Sequence, residues 1–219
     1  YTNGQLSDTA TKTTVELKEL LKEAEVSAAI FNNLEKKQVF TVYTLAEDRI
    51  QFTDAFLNDI QFTDAQITAI QTIEGQFNKH DVTLLNAVTG AGKTEIYIKL
   101  LQECIEKNQQ ALFLVPEIGL TTQLVQRLTA YFGNKIAVYN SKYSENERVE
   151  VYQHVLNNTE NAQVVIGSRS SIFLPFKNLQ LIIVDEEHEA SYKQVDPAPR
   201  FHARDAAIVL AKMFNAKVL

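Results

Sequence analysis

The sequence predicts an α/β fold, a doubly wound and mostly parallel sheet with helices on both faces. From residue 82 onward, short apolar runs alternate with segments whose apolar residues recur at helical spacing, which is typical of such sheets. Two of the runs, Val164–Ile166 and Leu181–Val184, contain no polar residue, as expected for strands covered on both faces. A glycine-rich turn also stands between a predicted strand and a predicted helix, the arrangement of a phosphate-binding loop.

The composition is that of an ordinary globular chain. Its 219 residues allow one or two domains, with 45% hydrophobic and 22% charged residues. No apolar run approaches the roughly 18 residues of a membrane span, so we expect no membrane partner. The net charge of −6 argues weakly against a nucleic-acid partner, although a protein that moves along nucleic acid can keep its basic groups local.

Two residues bear on the extent and the chemistry of the chain. The sequence begins with Tyr1 rather than Met, and we expect it to be an excised piece of a longer protein. Cys104 is the single cysteine, which excludes an internal disulfide and a cysteine-cluster zinc site within the sequence. Its apolar neighbours predict a small buried core residue.

Residues 1–50 are predicted to form part of a winged-helix DNA-binding segment. An amphipathic segment around residues 14–24 and a second one at 28–37, with Ser27 as a candidate cap, read as two helices. An extended run, Val39–Tyr43, follows, and the second helix would be the one offered to a DNA major groove. Basic residues are few here, so a small helical module that packs only on its neighbour stays open. Residues 51–60 are predicted to be a linker.

Residues 61–219 are predicted to form the main domain. A helix begins at Thr63–Asp64 and turns Ile67, Ile70 and Ile73 inward. The other predicted helices include residues 96–101, 121–132 and 145–157. The predicted strands are residues 82–85, 111–115, 136–139, 164–166 and 181–184.

The glycine turn at residues 86–95 carries the first half of a nucleotide site. Gly90 and Gly92 allow a tight turn whose N–H groups approach phosphate oxygens, and the following helix adds its N-terminal N–H groups. Lys93 is predicted to reach the β- and γ-phosphates, and the Thr94 hydroxyl to ligate Mg²⁺. The pattern usually begins with glycine, where this chain has Ala87. The predicted phosphate-binding residues are Thr89, Gly90, Ala91, Gly92, Lys93 and Thr94.

A strand that runs directly into Asp185-Glu186-Glu187-His188 carries the second half. Such a strand delivers a carboxylate to the Mg²⁺ of phosphate-loop enzymes. Asp185 is predicted to hold the metal through water, Glu186 to polarise the attacking water, and His188 to sense the γ-phosphate. Lys93, Asp185, Glu186 and His188 are therefore the predicted catalytic residues. A solvated turn after a strand is the alternative.

Further segments make the assignment more specific: Val115–Gln123, Ile166–Ser170, Pro175–Leu179, Asp185–Gln194 and His202–Asp205. With the two nucleotide motifs, they resemble the superfamily 2 helicases and, within them, the PriA family of bacterial replication restart helicases. The resemblance covers about residues 60–219. It implies a RecA-like first motor domain and a winged helix ahead of it.

The resemblance also implies roles for residues outside the two motifs. Gln66 matches a glutamine that reads adenine, and its amide can both donate and accept as the adenine edge requires. Segments at two strand ends match the family's DNA side, where they would hold phosphates without reading bases. Those residues are Pro116, Glu117, Ser168 and Arg169.

Residues 191–204 match the family's aromatic-rich loop, which couples DNA binding to ATP hydrolysis. Tyr192, Phe201 and His202 are predicted to offer stacking faces, while Lys193, Arg200 and Arg204 offer charge. The loop departs from the family pattern, because Val195–Pro199 stands where a tryptophan-bearing stretch is expected.

The resemblance implies ATP and Mg²⁺ as cofactors, single-stranded and forked DNA as partners, and primosome and single-strand-binding proteins around the parent in the bacterial cytoplasm. It places a second motor domain with an arginine finger, and a zinc module, beyond Leu219, so we expect the isolated chain to bind nucleotide weakly and to lack appreciable turnover. Another superfamily 2 translocase, an RNA helicase and a non-catalytic nucleotide-binding or DNA-binding module remain alternatives.

Overall fold

The structure, a computed structural model, describes residues 60–88, 90–117, 122–140 and 143–219, together with residues 24, 29, 30, 33, 36 and 37. The chain divides into two units, Tyr1–Glu47 and Asp48–Leu219. In the first unit, Ala29, Ile30, Asn33 and Lys36 are helical, within the helix predicted at 28–37. The rest of the predicted winged helix and the linker at 51–59 lie outside the described residues, so the domain assignment stays a prediction.

Five parallel strands form the sheet of the second unit, which confirms the predicted α/β class. The strand order is β2-β3-β1-β4-β5. β1 is central, and its Phe113 aligns with Ile166 on one side and Ile183 on the other. The strands are β1 Gln110–Leu114, β2 Ile136–Tyr139, β3 Val164–Gly167, β4 Leu179–Val184 and β5 Lys217–Val218.

Helices cover both faces of this sheet, as a doubly wound fold requires. Ala111 and Phe113 of β1 face one core, whereas Leu112 and Leu114 face the other, because successive strand residues alternate in direction. α1, α2 and α3 pack on the first face, and α4 and α5 on the second. The helices are α1 Asp64–Phe77, α2 Lys93–Glu106, α3 Thr122–Phe132, α4 Glu145–Asn157 and α5 Ala203–Phe214. Across the described residues, no helix has the length and apolar character that a bilayer crossing demands.

Two local predictions were wrong. Ile67 does not turn inward but is 41% exposed, because α1 buries Gln66 together with Ile70 and Ile73. The segment 82–85 is not a buried strand, since Val82 is 45% exposed and Leu84 is 75% exposed.

The segment 82–85 instead lies along the edge of the sheet beside β5. Val82 forms an isolated parallel bridge with Val218, in which the Thr83 N–H donates to the Val218 carbonyl at 2.9 Å. The Val218 N–H donates in turn to the Asp81 carbonyl at 2.8 Å. β5 therefore lies between this segment and β4. The phosphate loop follows the segment on one side of β5, and Asp185 follows β4 on the other side.

Candidate active site

Three neighbouring strands end side by side, and the segments that follow them lie together at the carboxyl end of the sheet. Leu114 of β1 aligns with Gly167 of β3 and with Val184 of β4, so the three strands end side by side. Pro116 lies just beyond β1, Ser168 follows β3 and Asp185 follows β4. Ligands of open parallel sheets bind beyond the carboxyl ends of the strands.

The phosphate loop has the conformation that its glycines predict. Gly90 and Gly92 adopt left-handed φ angles of 82° and 78°, which side chains disfavour. Gly92 is the N-cap of α2, and no side chain caps this helix end. The first N–H groups of α2 are therefore available to an anion. Thr89 lies outside the described residues, so its predicted phosphate contact stays a prediction.

Lys93 brings the two halves of the site together. Its ammonium donates to Glu186 Oε1 at 2.6 Å and lies 3.9 Å from Asp185 Oδ1. The hydrogen bond from Lys93 holds the pKa of Glu186 below its usual value, so this carboxylate stays ionised at neutral pH. The Lys93 ammonium therefore partly neutralises the charge of these two carboxylates.

Asp185 is held by a residue that the sequence reasoning missed. The Tyr97 hydroxyl donates to Asp185 Oδ1 at 3.0 Å. Tyr97 is buried on α2, four residues after Lys93 and so on the same helix face. Burial and the adjacent Asp185 carboxylate raise the pKa of Tyr97, which keeps its hydroxyl a donor. The sequence signal that could have identified Tyr97 is a hydroxyl-bearing residue four positions after Lys93 on an otherwise apolar helix face.

The residues fit a magnesium ion of the phosphate-loop kind. Within the described part of the chain, no cluster of three or more His, Cys, Asp or Glu residues could hold a metal alone. Thr94 follows Lys93 at the start of α2, and Asp185 ends β4, which supplies one hydroxyl and one carboxylate. Oxygen donors of this kind suit Mg²⁺, whose remaining ligands are typically phosphate oxygens and water.

The remaining residues of the acidic motif point in different directions. Glu186 has a left-handed φ of 49°, which is unusual for a residue with a side chain. His188 is 71% exposed, with its Nε2 3.7 Å from Glu186 Oε2. Glu187 Oε2 accepts from Arg204 Nη1 at 2.7 Å, so Arg204 joins the loop at 191–204 to the acidic motif.

A cavity of about 510 Å³ opens beside these residues. Its lining includes Lys93, Tyr97, Glu186, His188 and Arg204. A pocket of this size accommodates a small-molecule ligand, and convergent charged groups are typical of such sites.

Gln66 lies near the phosphate loop, with its amide already engaged. Its Nε2 donates to the Gly92 carbonyl at 3.2 Å, and its Oε1 accepts from the Thr63 N–H at 2.9 Å in a capping box. Adenine recognition by Gln66 stays a prediction: the amide keeps a second N–H donor, whereas Oε1 also accepts from the Thr63 hydroxyl at 3.2 Å.

The predicted DNA-side residues differ in accessibility. Glu117 is exposed, whereas Pro116 and Ser168 are buried. The expectation that Ser168 holds a phosphate stays a prediction, and it would require this buried residue to become accessible. Arg169 Nη1 donates to the backbone carbonyls of Ser191 and Lys193, at 3.2 and 2.9 Å.

The predicted stacking residues of the 191–204 loop are also divided. Tyr192 is only 1% exposed, so its expected stacking on bases would require the side chain to move and stays a prediction. Lys193 is exposed and pairs with His202 through an isolated bridge, and His202 is half-buried. Phe201 packs edge-to-face against Phe173 with ring centroids 4.9 Å apart. Phe173 is exposed and was not singled out in the sequence.

The all-parallel sheet, the phosphate loop and the acid-ended strand define a RecA-like phosphate-loop domain. Residues 59–219 match the ResIII family model, described as "Type III restriction enzyme, res subunit", and the chain belongs to this family.

Similar proteins agree with the resemblance to PriA inferred from the motifs. The Replication restart protein PriA of Bacillus subtilis is 43% identical over 65% of this chain and 17% of its own length. Its counterpart in Chlamydia pneumoniae is 35% identical over 93% of this chain and 28% of its own length. The resemblance is confirmed, and the chain spans less than a third of these relatives.

One solved structure supports the fold. RecG bound to a three-way DNA junction superposes with a TM-score of 0.52 and 19% identity, over 92% of this chain and 28% of that one. At this identity the likeness shows the architecture alone.

Proposed function

We propose that this chain is the nucleotide-binding motor domain of an ATP-dependent DNA helicase that acts in replication restart. The observation that carries the proposal is the meeting of Lys93 with Glu186 and Asp185, 2.6 and 3.9 Å away, where β4 ends beside the phosphate loop. Two motifs 92 residues apart thus form one site at the edge where parallel sheets bind ligands.

Each residue of the site has a separate part in ATP hydrolysis. The N–H groups after Gly92 cradle the β- and γ-phosphates, and Lys93 leaves Glu186 to pair with them. Thr94 and, through water, Asp185 would hold Mg²⁺, and the ion would supply positive charge to the phosphates. The released Glu186 carboxylate orients the attacking water and accepts its proton.

The same carboxyl end of the sheet would contact DNA. Arg169 and Lys193 lie at or near the strand ends, where their cations can hold the phosphates of single-stranded or forked DNA, and the backbone N–H groups of Glu117 and Ser168 would add donors. Arg204 links this side to the acidic motif through Glu187. We propose a bacterial cytoplasmic parent that moves 3′ to 5′ with primosome and single-strand-binding proteins as partners, and whose zinc module lies outside this chain.

A restriction-type translocase is the second candidate, because the description of the family names a restriction subunit. The identities of 43% and 35% to PriA proteins favour replication restart. Strand separation distinguishes the candidates, since translocation on duplex DNA does not require it.

The test uses the longer protein that we propose carries this domain. We expect DNA-stimulated ATP hydrolysis and separation of forks with a 3′ single-stranded arm, both abolished by Lys93→Ala. Lys99→Ala is the matched control, because Lys99 lies on the same helix and forms an ion pair with Glu103 at 3.2 Å, away from the acidic motif. ATP hydrolysis without strand separation would favour the translocase, and activity in the Lys93→Ala variant would exclude this site.

A further inference from the structure

Tyr192 makes a contact that its expected role in stacking does not explain. Its side chain is almost fully buried, and its hydroxyl donates to the Asp185 backbone carbonyl at 2.7 Å. A buried tyrosine hydroxyl generally finds a hydrogen-bond partner, and here that partner is the peptide that joins Asp185 to Glu186. The hydroxyl therefore acts on the geometry of the acidic motif.

That peptide leads into a strained residue. Glu186, which follows the Asp185 carbonyl, has a φ of 49°. A left-handed conformation costs a residue with a side chain roughly 1–2 kcal/mol and persists only where surrounding contacts enforce it. The hydrogen bond from Tyr192 is one such contact, and the bond from the Glu189 N–H to the Glu186 carbonyl, at 2.9 Å, is another.

The position of Tyr192 is itself set from the opposite side of the site. Arg169, just after β3, donates through Nη1 to the carbonyls of Ser191 and Lys193, the residues on either side of Tyr192. A guanidinium has five N–H donors, so Nε and Nη2 remain for a further acceptor such as a phosphate. Arg169 therefore connects the predicted DNA side to the segment that holds Asp185.

We propose that Tyr192 is a positioning residue, which holds the Asp185–Glu186 turn in its metal-competent conformation under the control of Arg169. The inference rests on the proposed function, because it assigns the metal to Asp185. Without the hydroxyl, the turn relaxes, and the Asp185 carboxylate rotates toward Lys93, which lies 3.9 Å away. The two groups already form an ion pair at this distance, and a closer approach would strengthen it in competition with the metal.

The test compares Tyr192→Phe with the wild-type chain. The variant removes only a hydroxyl and keeps the buried ring. Tyr152→Phe is the matched control, because Tyr152 lies exposed on α4. Two quantities are measured: hydrogen exchange of the amides at 185–189 in the free chain, and the Kd of a fluorescent ATP analogue with Mg²⁺ and with EDTA.

We expect faster exchange at 185–189 in Tyr192→Phe and unchanged exchange in β4. The Kd in Mg²⁺ should rise roughly tenfold, as when partners of metal ligands are removed, while the Kd in EDTA stays within about twofold. Arg169→Lys should change both quantities in the same direction. A merely structural role would move the two Kd values together.

Unchanged exchange at 185–189, or equal changes in Mg²⁺ and in EDTA, would overturn the inference. Failure of the proposed function has a different signature, in which the wild-type chain does not bind the analogue under either condition. The exchange measurement then still decides whether Tyr192 holds the turn.

Discussion

Single residues of the phosphate loop differ in why they are glycine. Gly92 needs both its left-handed φ and its lack of a side chain, since an added Cβ would lie 2.2 Å from Gln66 Nε2. Gly90 needs only the φ angle, because an added Cβ would meet no atom within 4 Å. Comparing substitutions at Gly90 and Gly92 therefore distinguishes the cost of backbone strain from the cost of steric crowding.

We expect Gly92→Ala to destabilise the chain more than Gly90→Ala. Each change costs about 1–2 kcal/mol in backbone conformation, and Gly92→Ala also displaces Gln66 from the Gly92 carbonyl, a bond worth about 1 kcal/mol. Gly75→Ala is the control, since Gly75 lies in α1 with open space around it and should gain roughly 0.5–1 kcal/mol. Urea unfolding measures all three, and equal losses at positions 90 and 92 would contradict the role given to Gln66.

The ion-paired residues of the candidate site were the easiest to identify from the sequence. Lys93, Asp185 and Glu186 followed from a glycine turn and an acid-ended strand, because each motif has a fixed structural context. Tyr192 could not be found in its observed role. Its partner is a backbone carbonyl, and no residue type in the sequence marks a carbonyl as an acceptor.

At the scale of elements, a buried glutamine joins three of them at the end of the sheet opposite the active site. Gln110 begins β1, and its Oε1 accepts from the N–H groups of Lys177 and Asn178 at 2.8 and 2.9 Å. Its Nε2 donates to the Val155 carbonyl of α4 at 3.1 Å. These bonds align the start of β1 with the turn before β4.

Replacing Gln110 by methionine keeps the volume and removes all three bonds. We expect a loss of about 2–4 kcal/mol of unfolding free energy, because two N–H groups lose their acceptor in a partly buried site. Gln102→Met is the control and should change stability by less than about 0.5 kcal/mol, since Gln102 is exposed on α2. A loss for Gln110→Met no larger than the control's would show that water replaces these bonds.

Element boundaries were predictable where periodicity and capping agree. The helix at 145–157 has the predicted bounds, because Ser144 and Glu147 form a capping box in front of it. The segment 82–85 was mistaken for a buried strand because an apolar run resembles a core strand whether or not other strands flank it. Its observed position depends on pairing with Val218, which is more than 130 residues away and is not visible in local pattern.

At the scale of the whole molecule, the sheet order explains why distant motifs form one site. β4 lies next to central β1, and β5 fills the space between β4 and the segment that leads into the phosphate loop. Lys93, which begins α2 after that segment, and Asp185, which follows the carboxyl end of β4, therefore meet although β5 lies between the two parts of the chain. Sequence alone predicted the parallel class of the sheet but not this order, which the long-range pairings decide.

The central claim is that Lys93, Asp185 and Glu186 form a nucleotide site in this chain. The most direct measurement is the Kd of Mg²⁺ and a fluorescent ATP analogue for the wild-type chain, Lys93→Ala and Lys99→Ala. We predict measurable binding by the wild type, a Kd at least about tenfold higher for Lys93→Ala because the phosphates lose a charged partner, and a Kd within about twofold for Lys99→Ala. Equal affinity of the wild type and Lys93→Ala, or no binding by the wild type, would contradict the claim.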